Sequence, residues 1–122
     1  MDKPVSEIAK EGKGDYSRQV YESQYGAHAV FDYVVRLLKF RRIYEIKGIR
    51  WGMPSYATRS GVSSLLSKMG KQVRRHLAVK KEEDVYEVVF YEMPLYEWQK
   101  EMVLKWAGDF GIILSFERPR GL

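Results

Sequence analysis

Apolar positions mark out six segments in the chain. Ala27, Val30, Phe31, Val34, Val35 and Leu38 recur at three and four residues and predict a helix over about residues 17–41, with Arg36, Lys39, Arg41 and Arg42 crowding its last turns. Cations there suit the negative end of a helix dipole. Ile43 to Trp51 is rich in β-branched and aromatic residues and predicts a strand with a kink or bulge at Gly48. Gly52-Met53-Pro54-Ser55 breaks it, and Tyr56 to Gly61 reads as loop. Ser60 then caps a second helix whose apolar stripe is Val62, Leu65, Leu66, Met69 and Val73. His76 to Lys80 and Val85 to Met93 flank the polar Lys81-Glu82-Glu83-Asp84, the pattern of a β-hairpin. Pro94 suits the first turn of a third helix, about 95–107, with Leu95, Trp98, Met102, Val103 and Trp106 on its stripe and Gly108 as its stop. Ile112, Ile113, Leu114 and Phe116 make a short final strand.

The order helix, strand, helix, hairpin, helix, strand predicts an α+β domain with a mainly antiparallel four-stranded sheet packed with about three helices. At 122 residues the chain suits one domain, over residues 15–122, behind a charged flexible leader at 1–14 that holds Gly12 and Gly14. There is no internal repeat. With no cysteine, disulfides and thiolate metal sites are excluded. No apolar run approaches the roughly 18–20 residues of a membrane span, so a cytoplasmic protein without a membrane partner is expected. Asparagine is absent, threonine occurs once at Thr58, and Lys and Glu are abundant, a compositional habit of hyperthermophile proteins.

Charge changes the picture more than composition does. The net +5 hides a polarised molecule: from Arg36 to Lys81 there are thirteen Lys or Arg against one acid, Glu45, while residues 82–122 carry four bases against nine acids. A basic third of the chain attracts polyanions, so nucleic acid is the first candidate partner. Aromatic residues interleave with the charges at Arg42-Ile43-Tyr44, Lys47, Arg50-Trp51, Tyr56 and Arg59, the mixture that suits single strands: cations follow the backbone and flat rings stack on unpaired bases. The predicted phosphate contacts are Arg42, Lys47, Arg50, Lys68, Lys71, Arg74 and Arg75; the predicted stacking residues are Trp51 with Tyr44 or Tyr56.

Enzyme signatures are nearly absent. There is no P-loop, Gly-x-Gly-x-x-Gly or His-Glu-x-x-His, and His28 and His76 lack the spacing of paired metal ligands, so both are expected as core or surface residues. Glu82-Glu83-Asp84 is expected as a solvated hairpin tip. The reading is therefore a sequence-tolerant binder of single-stranded DNA or RNA, without catalysis, cofactor or metal. Its alternatives are a winged-helix duplex binder with a recognition helix at 60–75 and a wing at Lys80 to Asp84, an RNA- or ribosome-associated protein, and a protein-interaction adaptor.

The helix-rich start, the Arg42 to Tyr56 stretch and the hairpin resemble the non-OB single-stranded DNA-binding proteins of hyperthermophilic crenarchaea. The resemblance implies a basic cleft with hydrophobic walls that protects single strands without sequence preference. That family tends to carry a C-terminal leucine-zipper extension for dimerisation. No heptads occur up to Leu122, so a homodimer stays open as a partner.

Overall fold

The computed structural model describes residues 19–22 and 28–117, with side chains from Phe31 onward. The predicted leader therefore lies outside the described residues. Strand β1 (Gln19–Glu22) pairs antiparallel with β2 (His28–Phe31), with Gln19 opposite Phe31. Asp32 alone separates β2 from β3 (Tyr33–Arg36), which turns back at Leu37–Phe40 into β4 (Arg41–Lys47). A 3₁₀ turn at Pro54–Tyr56 leads into helix α1 (Arg59–Val79), followed by β5 (Val85–Phe90), helix α2 (Glu97–Phe110) and β6 (Ile113–Phe116).

The main sheet runs β3-β4-β5-β6. Its first pair is antiparallel, with Tyr33 opposite Tyr44, and the other two are parallel, with Arg42 opposite Val85 and Glu87 opposite Ile113. The chain is thus α+β with a mixed four-stranded sheet, and the described residues hold two helices where three were expected.

Three departures from the sequence reading have physical causes. The segment predicted as a first helix forms strands: Val34 joins the core cluster beneath the helices while Tyr33 and Val35 join a cluster on the other face, an alternation of period two suited to β-branched and aromatic residues. The predicted hairpin does not form, because α1 continues six residues past Val73. His76 and Val79 extend its buried stripe. β5 consequently returns parallel to β4 through α1, and α2 carries the chain to β6 in the same way; the winged-helix alternative loses its wing. Tyr86 to Phe90 is buried on both faces, as central parallel strands are. The cap of α1 is Thr58, whose Oγ1 accepts from Gly61 N at 3.1 Å, and α2 ends at Gly111 with φ of 66°, three residues past the expected stop.

Val62, Leu66, Met69 and Val73 of α1 and Val103 and Ala107 of α2 pack onto Ile43, Tyr86, Val88, Phe90 and Leu114 of the sheet. Gly61 is required where α1 begins: a Cβ there would lie 1.7 Å from Ser55 O. Among the described residues no helix is long and apolar enough to cross a membrane.

Asp84, expected at a solvated tip, is buried and ties the start of β4 to the turn that enters β5. Its carboxylate accepts from Arg41 N at 3.0 Å, Arg41 Nε at 3.0 Å and Lys81 N at 3.1 Å. These hydrogen bonds, Arg41 foremost, outweigh burial and hold the carboxyl below the usual carboxylate range. Replacing Asp84 with Ala removes the hydrogen bonds that hold the start of β4 to the turn before β5 and is expected to cost about 2–3 kcal/mol in urea unfolding at pH 7. The deficit should shrink as pH falls and the wild-type carboxylate is itself protonated; a loss under about 0.5 kcal/mol would contradict the tie.

Candidate functional site

Strand alternation puts Ile43, Glu45 and Lys47 on the same face of β4, the face covered by α1. Glu45, the lone acid of the basic segment, is 2% exposed. Its Oε1 lies 3.0 Å from Lys47 Nζ, which also donates to Gln72 Oε1 of α1 at 2.7 Å. Its Oε2 has no hydrogen-bond partner, and His76 Nδ1, one helical turn beyond Gln72, stands 3.6 Å away, beyond hydrogen-bond length. His76 Nδ1 is instead 2.6 Å from Tyr86 Oη, and its ring meets Phe31 edge-on.

The second acid is Asp32, at the break between β2 and β3. Its Oδ2 accepts from Ile46 N at 2.9 Å, which fixes it across from β4, and its carboxylate is within hydrogen-bonding reach of Glu45. Burial first, then the charge of Asp32, pushes the Glu45 carboxyl up to about 7, against the lowering by Lys47. Burial, reinforced by the charges of Glu45 and Asp32, also pushes the Tyr86 hydroxyl far above the usual phenol range. Two carboxylates held this close repel each other unless a proton or a cation lies between them. A buried acid oxygen is costly unless something meets it, and here that is either a proton shared between Glu45 and Asp32 or a cation between them.

Among the described residues no group of three or more His, Cys, Asp or Glu side chains is arranged to hold a metal ion. Asp32 and Glu45 are a pair of carboxylates, and one or two carboxylates completed by water and substrate phosphate is the way Mg²⁺ is commonly held.

The residues predicted from sequence divide into three groups. Lys47 belongs to the carboxylate cluster. Arg50, Lys68, Lys71, Arg74 and Arg75 are exposed, and at about 100° per residue Lys68 and Arg75 lie within about 60° of Gln72 on α1, so they flank the cluster, with Lys71 just beyond. Arg74 lies on the opposite flank, its guanidinium 5.4 Å from the Phe110 ring centre. The open groove there, about 810 Å³ and lined by Arg59, Arg74, Lys105 and Trp106 among others, has no buried charged group in its walls. Arg42 is turned inward: it pairs with Glu87 at 3.2 Å and donates to Tyr44 Oη at 3.0 Å.

The expected stacking residues do not present free rings. Trp51 is 1% exposed, packed on Phe90, with Nε1 donating to Glu92 O at 2.9 Å, and Tyr44 is fully buried on the far face of the sheet. Tyr56 is half-buried against Trp51. The cause is the fully buried Gln99, whose Nε2 donates to Trp51 O and Tyr56 O while its Oε1 accepts from Leu95 N and Tyr96 N. It draws the loop after β4 down onto the core.

No family model, curated protein or solved structure matches the chain. Asp32, Glu45, Gln72 and the placement of Lys47 escaped the sequence reading. Their signals were an acid and a lysine two apart on a strand, Glu45 standing alone among thirteen bases, and Gln72 and His76 four apart on the inner edge of a helix.

Proposed function

We propose that the protein is a divalent-cation-dependent phosphodiesterase acting on nucleic acid, with Asp32 and Glu45 holding the cation and Lys47 serving the scissile phosphate. Nucleic-acid binding through the basic surface is kept from the charge pattern; the chemistry departs from the expectation of a binder without catalysis or metal. One observation carries it: the only acid of the basic segment is buried beside a lysine and within hydrogen-bonding reach of a second acid, with Lys68 and Arg75 on the adjoining flank of α1.

The roles follow from charge. Asp32 and Glu45 would hold the cation, which would offset their repulsion and supply Lewis-acid stabilisation of the negative charge that grows on the phosphate in the transition state. Water attacks phosphorus, one P–O ester bond breaks, the departing sugar oxygen takes up a proton and the attacking water gives one to solvent. The Lys47 ammonium, held by Gln72, sits beside the cation ligands as a second positive charge for the phosphate. Asp32 is fixed by the Ile46 amide and Glu45 by its place on β4; because Glu45 is 2% exposed, the ion and the phosphate reach it only when the covering side chains, Lys47 among them, move aside. Lys68, Lys71, Arg75 and Arg50 receive the flanking phosphates.

The test is cleavage of end-labelled single-stranded and duplex oligonucleotides. Products are expected in Mg²⁺ or Mn²⁺ and none in EDTA; absence of cleavage in all metals, or cleavage equal in EDTA, would reject the reading. Binding in EDTA should follow a salt law. With about four phosphates neutralised on a single strand, log affinity falls against log salt with a slope near −3 in anisotropy titrations. A slope near zero would remove the basic surface as the contact.

A further inference from the structure

The turn from β3 to β4 is built of residues that do not make turns. Leu37-Leu38-Lys39-Phe40 contains none of the Gly, Pro, Asn, Asp or Ser that supply turn conformations or local side-chain bonds, yet Leu37 N donates to Phe40 O at 2.9 Å and closes it tightly. Leu38 at its apex is 98% exposed and Leu37 45%. Arg36 and Lys39 beside them are also exposed. The base of the turn is rigid, because Arg41 is bound at its backbone and side chain by the buried Asp84. A single exposed leucine on a flat surface is ordinary. Two at the tip of a clamped hairpin, between cations and in place of turn-forming residues, call for a ligand.

We propose that Leu38, supported by Leu37, is a wedge that enters a base step of duplex nucleic acid while Arg36 and Lys39 grip the phosphates on either side. Apolar side chains on basic proteins act in this way: they unstack neighbouring base pairs, and the bent duplex then covers more protein surface. The charge beside the tip selects a polyanion, and the strand that leaves it, β4, is the one that carries Glu45 and Lys47. From Arg41 to Lys47 that strand spans roughly 13–20 Å to the two residues, or about four to six base-pair steps at roughly 3.4 Å each. A duplex distorted at the wedge thus extends far enough to run past the whole of β4. The inference rests on the nucleic-acid part of the proposed function and not on cleavage.

The experiment uses the full chain in EDTA and a short duplex with 2-aminopurine, whose fluorescence rises on unstacking, at several positions. Wild-type protein is expected to raise the fluorescence at least twofold at saturation. Leu38→Ser and Leu38→Gln should each cut that rise to less than a quarter, with an unchanged circular dichroism spectrum and an unchanged salt slope, since no phosphate contact is lost or gained. No rise with the wild type, or an equal rise with both variants, would overturn the wedge. So would Leu38-dependent binding to phosphatidylserine vesicles combined with Leu38-independent binding to DNA, which would make the tip a membrane contact. Loss of cleavage in Mg²⁺ with the fluorescence rise intact would reject the proposed chemistry and leave the wedge standing.

Discussion

Glu45→Gln is expected to abolish metal-dependent cleavage, by about a thousandfold or more, and at the same time to make the metal-free protein more stable at pH 8. The folded Glu45 carboxyl releases its proton at about 7 against 4.5 for the unfolded chain. Between those values the folded state binds the extra proton, so the wild type loses stability as pH rises from about 4.5 to about 7 and stays at the lower level above that. The full span is on the order of 3 kcal/mol. Glutamine keeps the shape and removes the charge, so the variant should escape the loss: in urea unfolding without metal it should exceed the wild type by about 2–3 kcal/mol at pH 8 and by little at pH 5. A catalytic residue that destabilises its own fold is the expected signature of a site built for a ligand. A variant less stable than the wild type at pH 8 would show that Glu45 serves the fold through its contact with Lys47.

Lys47→Met separates catalysis from cation binding. The Nζ of Lys47 bridges Glu45 Oε1 and Gln72 Oε1, and methionine fills a similar volume without the charge. Cleavage should fall about 100- to 1000-fold, the usual cost of a charged or hydrogen-bonding group that acts on the transition state. The affinity for Mn²⁺ should change by less than about threefold at pH 8.5, where Glu45 is ionised. Because Lys47 lowers the Glu45 carboxyl, its loss should also move the acid limb of Mn²⁺ binding to higher pH. Equal losses of metal affinity and cleavage would instead make Lys47 a support for the carboxylates alone.

Much of this was legible in the chain, and the misreadings share a cause. The stripe Val62, Leu66, Met69, Val73 was correct and too short, because His76 reads as polar although it is 2% exposed beside Tyr86. Ending α1 there freed His76 to Lys80 for a hairpin and turned a mixed sheet into a mainly antiparallel one. In the segment from Ala27 to Leu38 apolar residues are dense enough to satisfy a helical and an alternating pattern together, and only pairing with β4 decides between them. Partner-dependent burial likewise hid Trp51: flanking Gly52 and Pro54 suggested an exposed ring, while Gln99, 48 residues away, pulls that loop inward. The cations on α1 were found because charge needs no partner to be read. Asp32 and Glu45 stand thirteen residues apart with no motif between them, and only the return of β3 onto β4 places them together.

The most direct measurement is a calorimetric titration of the metal-free protein with Mn²⁺ at pH 8, run beside Asp32→Asn and Glu45→Gln. One ion per chain should bind the wild type, each variant should weaken it at least tenfold, and at pH 6.5 binding should release protons as the metal displaces the one on Glu45. No saturable binding by the folded wild type, or the same isotherm with both acids neutralised, would contradict the carboxylate pair as a cation site and with it the proposed chemistry.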